Sequence, residues 1–203
     1  MAKRLSPAKR EVRTAIKSKF PRAAAIEVAR QVVEWIRPVC EPGYLKVAGS
    51  LRRGKRAVGD IEIVYVPLIE AEADGLFDKR NFCPLDRLLE QLIVDGKLKK
   101  RLNSKGAETW GEKNKLAVEP KSGIPVDFFA TKKGFFWNYL VCRTGGERTN
   151  IRIAKAARAK GLMWHPYHGG FTDRTSGEIL QCRSEEDVFA IAGLNYLAPN
   201  LRA

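Results

Sequence analysis

From Pro21 to Arg37 apolar side chains recur at Ala25, Val28, Ala29, Val32 and Ile36, a three-and-four spacing that lines one face of a helix. An earlier stripe, Ala8, Val12, Ala15 and Ile16, predicts a helix from an N-cap at Ser6, with Pro7 in the first helical position, to about Phe20. Its other side is crowded with Lys9, Arg10, Arg13 and Lys17. Pro38 and Gly43 end the second helix and turn the chain toward a strand, "YLKVAG". The period then shortens to two. In "DIEIVYVP" Asp60, Glu62 and Val64 alternate with Ile61, Ile63 and Tyr65, so a strand points both carboxylates the same way. Residues 84 to 96, "PLDRLLEQLIVDG", return to helical spacing with Leu85, Leu88, Leu89 and Leu92, a helix suited to cover one face of a sheet. "KLAVEP" and "GIPVDFFATKK" follow as short strands, the second holding Asp127 between Val126 and Phe128.

Beyond residue 134 the pattern changes. "NYLVCRTGG" ends in glycines that allow a tight turn, and "ERTNIRIAKAARAKG" predicts an alanine-rich helix closed by Gly161. On it Arg148, Arg152 and Lys155 form a basic stripe at i, i+4 and i+7. Ser184 with Asp187 resembles a capping box opening a last short helix, "EEDVFAIAG". There is no internal repeat, low-complexity tract or long linker. The fold class is α+β: N-terminal helices and a mixed sheet with helices on one face over 1–133, then a small α+β subdomain over 134–203.

Charge adds a partner to this picture. The 37 Lys and Arg against 23 Asp and Glu leave a net charge of +14, which favours a polyanion, nucleic acid first; a merely solvated cationic surface is the plainer alternative. No apolar run approaches the ~20 residues that span a bilayer, and "MAKRLSPAKREVR" lacks the apolar core of a signal peptide, so no membrane association and a cytoplasmic location are expected. Cys40, Cys83, Cys142 and Cys182 include no CxxC pair and read as reduced, mostly buried thiols. His165 and His168 in "WHPYHGG" lack matching ligand spacing, and zinc is set aside.

The chemistry is concentrated in "VAGSLRRGKRAVGDIEIVYV", residues 47 to 66. Asp60 and Glu62 on one strand face, joined by Asp127 from a nearby strand, would repel one another unless cations neutralise them. An acid isolated among large apolar residues, as Asp127 is, also asks for a cationic partner. Mg²⁺ suits an all-oxygen site completed by phosphates and water. Two such ions about 4 Å apart stabilise the attacking and leaving oxygens of a displacement at phosphorus, which implies phosphoryl or nucleotidyl transfer. Gly49 and Ser50 offer a small-residue turn with amide and hydroxyl donors, and Arg53 a planar fork for phosphate oxygens. The competing reading is a surface hairpin in which Arg52, Arg53, Lys55 and Arg56 balance the two acids.

"GSLRRGKRAVGDIE" resembles the signature of the family X DNA polymerases, the polymerase beta type within the nucleotidyltransferase superfamily. "KFPRAAA" resembles the helix start at the head of the palm, "IPVDFFA" the strand bearing the third acid, "RTGGERTNIRIAKAARAKGL" the sugar-pocket turn and thumb helix, and "SEEDVFAIAGLNYLAPNLR" the C-terminal ending. The resemblance implies a nucleotidyltransferase palm over 1–133 and a thumb-like subdomain over 134–203. Asp60, Glu62 and Asp127 would be the catalytic, metal-binding triad for two Mg²⁺, with Mn²⁺ as a substitute. Ser50 and Arg53 would bind the β and γ phosphates beside the Gly49 turn, Gly59 would let the backbone approach closely, and Lys19 falls where a basic residue lies near the triphosphate. Asn150 matches the asparagine at the minor-groove edge of the nascent pair. Thr144 and Gly145 line the sugar pocket beside Cys142 and Arg143.

Three departures follow from the same alignment of motifs. Cys142 and Arg143 replace the usual Tyr-Phe of the sugar-gating turn, which predicts weak discrimination against ribonucleotides. Pro125 stands where the family often has an arginine two residues before the third acid. The stretch before the palm is too short for the family's N-terminal lyase domain, so DNA contact is expected to fall to Arg148, Arg152, Lys155, Lys9, Arg13 and Lys17. The expectation is a monomeric, metal-dependent DNA polymerase filling short gaps in repair, with gapped or primer-template DNA and nucleoside triphosphates as substrates. A DNA ligase is the partner such a role would call on. The alternatives are a nucleotidyltransferase with an RNA, protein or small-molecule acceptor, and a DNA-binding module with a degenerate site.

Overall fold

The computed structural model describes residues 18–74 and 78–203. The stripe at Ala8 to Ile16, and with it Lys9, Arg13 and Lys17, lies outside the described residues. The helix expected to reach Phe20 does not: Phe20–Pro21 form a short strand, β1, and helix α1 starts at once, Arg22–Ile36. Pro21 favours this boundary, since it pushes the residue before it away from helical geometry.

α1 is followed by β2 (Cys40–Val47), the single turn α2 (Gly49–Arg52), β3 (Ala57–Val58) and β4 (Ile61–Pro67). β1 pairs antiparallel with β3, Phe20 opposite Val58, which ties the head of α1 to the loop before β4. Next come a hairpin, β5 (Glu70–Asp74) and β6 (Asp78–Phe82), then α3 (Pro84–Val94), β7 (Lys99–Lys100), β8 (Asn114–Val118) and β9 (Pro125–Ala130).

The main sheet has the order β2-β4-β9-β8-β7. β4 and β9 run parallel and the other pairs antiparallel, so the sheet is mixed. A parallel pair needs a long crossover, and the segment with α3 supplies it. Its register decides the chemistry that follows: Glu62 pairs with Asp127, and Asp127 with Leu116 on β8.

The two faces of the sheet bury different partners. Ile61, Ile63, Tyr65, Val126 and Phe128 pack with Ala25, Ala29, Val32 and Ile36 of α1 and with Leu85, Leu89 and Leu92 of α3. The helical spacing of those residues is the reason both helices lie flat on that face. The opposite face, with Val64, Val66 and Phe129, is covered by Phe136, Tyr139 and Leu140 of α4 (Phe136–Thr144). Glu62 and Asp127 stand on this second face by strand alternation.

The chain continues through α5 (Glu147–Ala159), β10 (Leu162–His165), β11 (Gly170–Asp173), β12 (Ile179–Leu180) and α6 (Glu185–Ile191). β10, β11 and β12 form a small antiparallel sheet over their own core of Ile153, Ala157, Phe171, Val188 and Phe189. Val141 of α4 belongs to that core, so one helix serves both regions. Gly161 takes φ +76° just past α5, as its C-cap role requires. The Ser184 hydroxyl accepts from the Asp187 amide at 3.1 Å, and the Asp187 carboxylate accepts in return from Arg183. The α+β class with a mixed sheet is thus the observed one.

Candidate active site

The predicted acids lie at the start of β4 and on its parallel neighbour β9. Asp60 precedes the strand and Glu62 is its second residue. Across the parallel register Asp127 is buried, at 8 % exposure, in the middle of β9. Glu62 is pushed up from 4.5 to about 7. Burial is the main cause, with Asp60 and Asp127 adding to it; Arg143 and Arg53 pull the other way and do not win. Glu62 Oε2 is buried and has no hydrogen-bond partner among the described residues. A buried carboxylate oxygen without a donor is costly, and it fits a hard divalent cation that takes oxygen ligands.

The three carboxylates are neighbours without being gathered. Among the described residues no three His, Cys, Asp or Glu side chains form a group that could hold a metal ion. Asp127 Oδ1 accepts from Arg101 Nη2 at 2.5 Å.

Gly49 faces this site. It opens α2 with φ +63°, and a Cβ there would stand 3.1 Å from Glu62 Oε1. Glycine is therefore needed twice over, for the backbone angle and for the close approach of the carboxylate. Ser50 follows, half-buried. Gly59 lies opposite the β1 end, where a Cβ would meet only the Ser18 carbonyl at 4.0 Å. The β1–β3 pairing thus brings Ser18 and the exposed Lys19 beside the Gly59-Asp60 turn.

Arg52, the last residue of α2, and Arg53 just after it reach the second region. Arg53 Nη1 donates to the carbonyls of Thr144 at 2.7 Å and Gly145 at 3.2 Å. Arg52 donates twice to Glu185, at 2.8 and 2.7 Å, and once to the Thr144 hydroxyl at 2.8 Å. Arg202, 1 % exposed, donates to the same Glu185 at 2.9 Å. Residues 19–121 match the family model described as DNA polymerase beta palm, and residues 139–203 match DNA polymerase beta thumb. The chain belongs to the DNA polymerase beta family. It is also 27% identical over 192 residues to DNA polymerase lambda of Rattus norvegicus, an alignment covering 89% of this chain and 32% of that protein. The chain spans about a third of the length of that relative. Asp127 falls between the palm and thumb matches, so its place beside Glu62 is seen from the strand register.

The thumb side carries the remaining predicted residues. Thr144 and Gly145 are buried and receive the palm arginines as described. Asn150 is turned inward: its Nδ2 donates to the Cys142 carbonyl at 2.9 Å, while its Oδ1 is buried without a partner among the described residues. A Cβ on Gly145 would meet that Oδ1 at 2.6 Å. The Cys142 thiol donates to the Tyr167 hydroxyl at 3.3 Å, and burial pushes the thiol up. Arg143 lies over the Phe129 ring at 3.6 Å, with Tyr139 and Tyr167 at 5.6 and 5.4 Å. It thereby borders a cleft of about 1420 Å³ lined also by Lys113, Lys132 and Lys133, which does not include the three acids.

Arg148, Arg152 and Lys155 are exposed along α5. His165 and His168 are exposed on and after β10. No helix among the described residues is long and apolar enough to cross a membrane. Sequence reasoning missed Arg101, Glu185 and Arg202, and it gave Arg52 no role beyond the hairpin. Only three-dimensional proximity reveals these, since Arg52 and Glu185 are 133 residues apart.

Proposed function

We propose that the chain is a metal-dependent DNA polymerase. It transfers a nucleotidyl group from a nucleoside triphosphate to a primer 3′-hydroxyl, acting as a monomer that fills short gaps in DNA repair. The observation that carries this is Glu62: a half-buried carboxylate whose Oε2 is buried without a donor among the described residues, in the field of Asp60 and Asp127 and backed by Gly49. A chain gains nothing in stability from such an arrangement, so the acids are kept for a ligand.

Asp60, Glu62 and Asp127 would hold two Mg²⁺ ions, or Mn²⁺, whose chemistry is Lewis-acid stabilisation of the oxygens around phosphorus. The rest falls to the side chains. Ser50 and Arg53 bind the β and γ phosphates, Gly49 and Gly59 give the nucleotide room against the backbone, and Lys19 adds positive charge beside that turn. Division of labour follows a boundary near residue 133: the palm supplies the acids, the thumb the sugar pocket of Thr144, Gly145 and Asn150. Cys142 and Arg143 in that pocket leave it weakly selective against a ribose 2′-hydroxyl. Arg148, Arg152 and Lys155 meet DNA phosphates, and each contact makes affinity fall with salt.

The test is extension of a labelled primer on gapped, recessed and single-stranded DNA with Mg²⁺ or Mn²⁺, by the full chain and by Asp127→Ala. Extension by the chain and none by the variant is expected; no extension on any substrate overturns the reading.

A further inference from the structure

Arg101 follows β7, and its amide donates to the Leu116 carbonyl at 3.0 Å. Leu116 pairs with Asp127, and Asp127 with Glu62. Four residues therefore stand in one row across the sheet: Glu62, Asp127, Leu116 and Arg101. Neighbours two strands apart lie about 10 Å from each other at the backbone, a span that a long guanidinium side chain can cover and a short one cannot. Arg101 covers it. Its Nη2 donates to Asp127 Oδ1, its Nη1 to the Leu102 carbonyl at 3.3 Å, and its Nε is buried without a partner among the described residues. The Arg101 side chain is 27 % exposed and that of Asp127 11 %, so the contact is partly shielded from water.

We propose that Arg101 is a built-in counterion for Asp127, displaced when a divalent cation binds there. The inference rests on reading Asp127 as a metal ligand. One guanidinium hydrogen occupies a carboxylate oxygen that the ion needs, and the arginine's positive charge repels the ion at close range. Metal binding at Asp127 is then an exchange of one cation for another, coupled to outward movement of a side chain anchored on the edge strand. Arg101 is a positioning residue: it keeps the third acid aimed and neutralised while the site awaits substrate, and it holds metal affinity down in the nucleotide-free protein.

The experiment is titration of the full chain with Mn²⁺ alone, free ion being read by electron paramagnetic resonance at constant salt. Wild type is compared with Arg101→Gln, Arg101→Lys, Asp127→Asn and the Arg101→Gln/Asp127→Asn double variant. Arg101→Gln is expected to tighten Mn²⁺ binding about two- to fivefold, the scale of a partly exposed charge pair. Arg101→Lys, which keeps the charge without the fork, falls between. The double variant should match Asp127→Asn. Unchanged or weaker binding in Arg101→Gln, with thermal unfolding intact, overturns the proposal. Should Arg101→Gln fail to fold, Arg101→Lys decides by the same criterion. If Asp127→Asn itself leaves Mn²⁺ binding unchanged, the metal-site reading fails; if it weakens binding while neither Arg101 variant tightens it, the counterion inference fails alone.

Discussion

Glu62 and Glu185 are the same side chain, both largely withdrawn from water, and the protein treats them in opposite ways. Glu185 receives Arg52 through two hydrogen bonds and Arg202 through a third. These cations outweigh burial and hold it below the ordinary carboxylate value. Glu62 has Arg143 and Arg53 in its field, yet burial and two neighbouring acids push it up to about 7. The difference separates structure from function. An acid that fastens the palm to the thumb is supplied with donors on both oxygens, whereas the acid proposed here to hold a metal has an oxygen without one among the described residues.

The largest effect that would break this contrast concerns rate. Glu62→Gln should lower the primer-extension rate roughly a thousandfold, about 4 kcal/mol of transition-state stabilisation, measured in single turnover. Glu185→Gln should act on stability instead. It leaves the buried Arg202 short of its counter-charge and costs about 3 kcal/mol in urea unfolding. A loss under 1 kcal/mol would mean that the Glu185 network contributes little.

Their pH dependences should differ in sign. Glu62 binds its proton more tightly folded than unfolded, so its contribution is complete below 4.5 and is lost as pH rises through about 7. Glu185 is lowered on folding, so its contribution is present above 4.5 and is lost as pH falls through its depressed value. In chelator-treated protein, Glu62→Gln should raise stability at pH 8 by about 1–2 kcal/mol and flatten the decline between 4.5 and 7. Glu185→Gln should flatten only the acid limb. The smallest expected effect lies at the sugar turn. The deoxy-over-ribo ratio in kcat/KM should stay below about a hundredfold, and Cys142→Tyr should raise it.

Local periodicity made much of this fold legible. The leucines of α3, the alanine and valine stripe of α1 and the alternation in β4 each name their element, because burial on one face leaves a repeating mark. α4 carries no such mark: "FWNYLVCRT" buries Phe136, Tyr139, Leu140 and Val141 against two cores at once, so its pattern is apolar nearly all round. The β5–β6 hairpin, "EAEAD" against "DKRNF", has no β-branched residue and a single aromatic, Phe82, of the kinds that announce strands. At the site, the acids were visible as charges out of place. Its local sequence marks Arg53 as a phosphate ligand, and the thumb carbonyls it binds, 91 and 92 positions away, leave no local signal. Arg101 was one basic residue in a run of them, and only the sheet register singles it out.

Arg52 and Arg53 hang from one helical turn that begins at Gly49, against Glu62. Any anion that claims the Arg53 guanidinium competes with the Thr144 and Gly145 carbonyls, and so bears on the joint between the two halves of the molecule. Linkage makes that bearing mutual. Whatever free energy the anion spends in loosening the joint is the free energy by which a loosened joint favours the anion. If Arg53 takes substrate phosphate as proposed, this four-residue turn would act as a balance arm, with substrate charge on one pan and the posture of the thumb on the other.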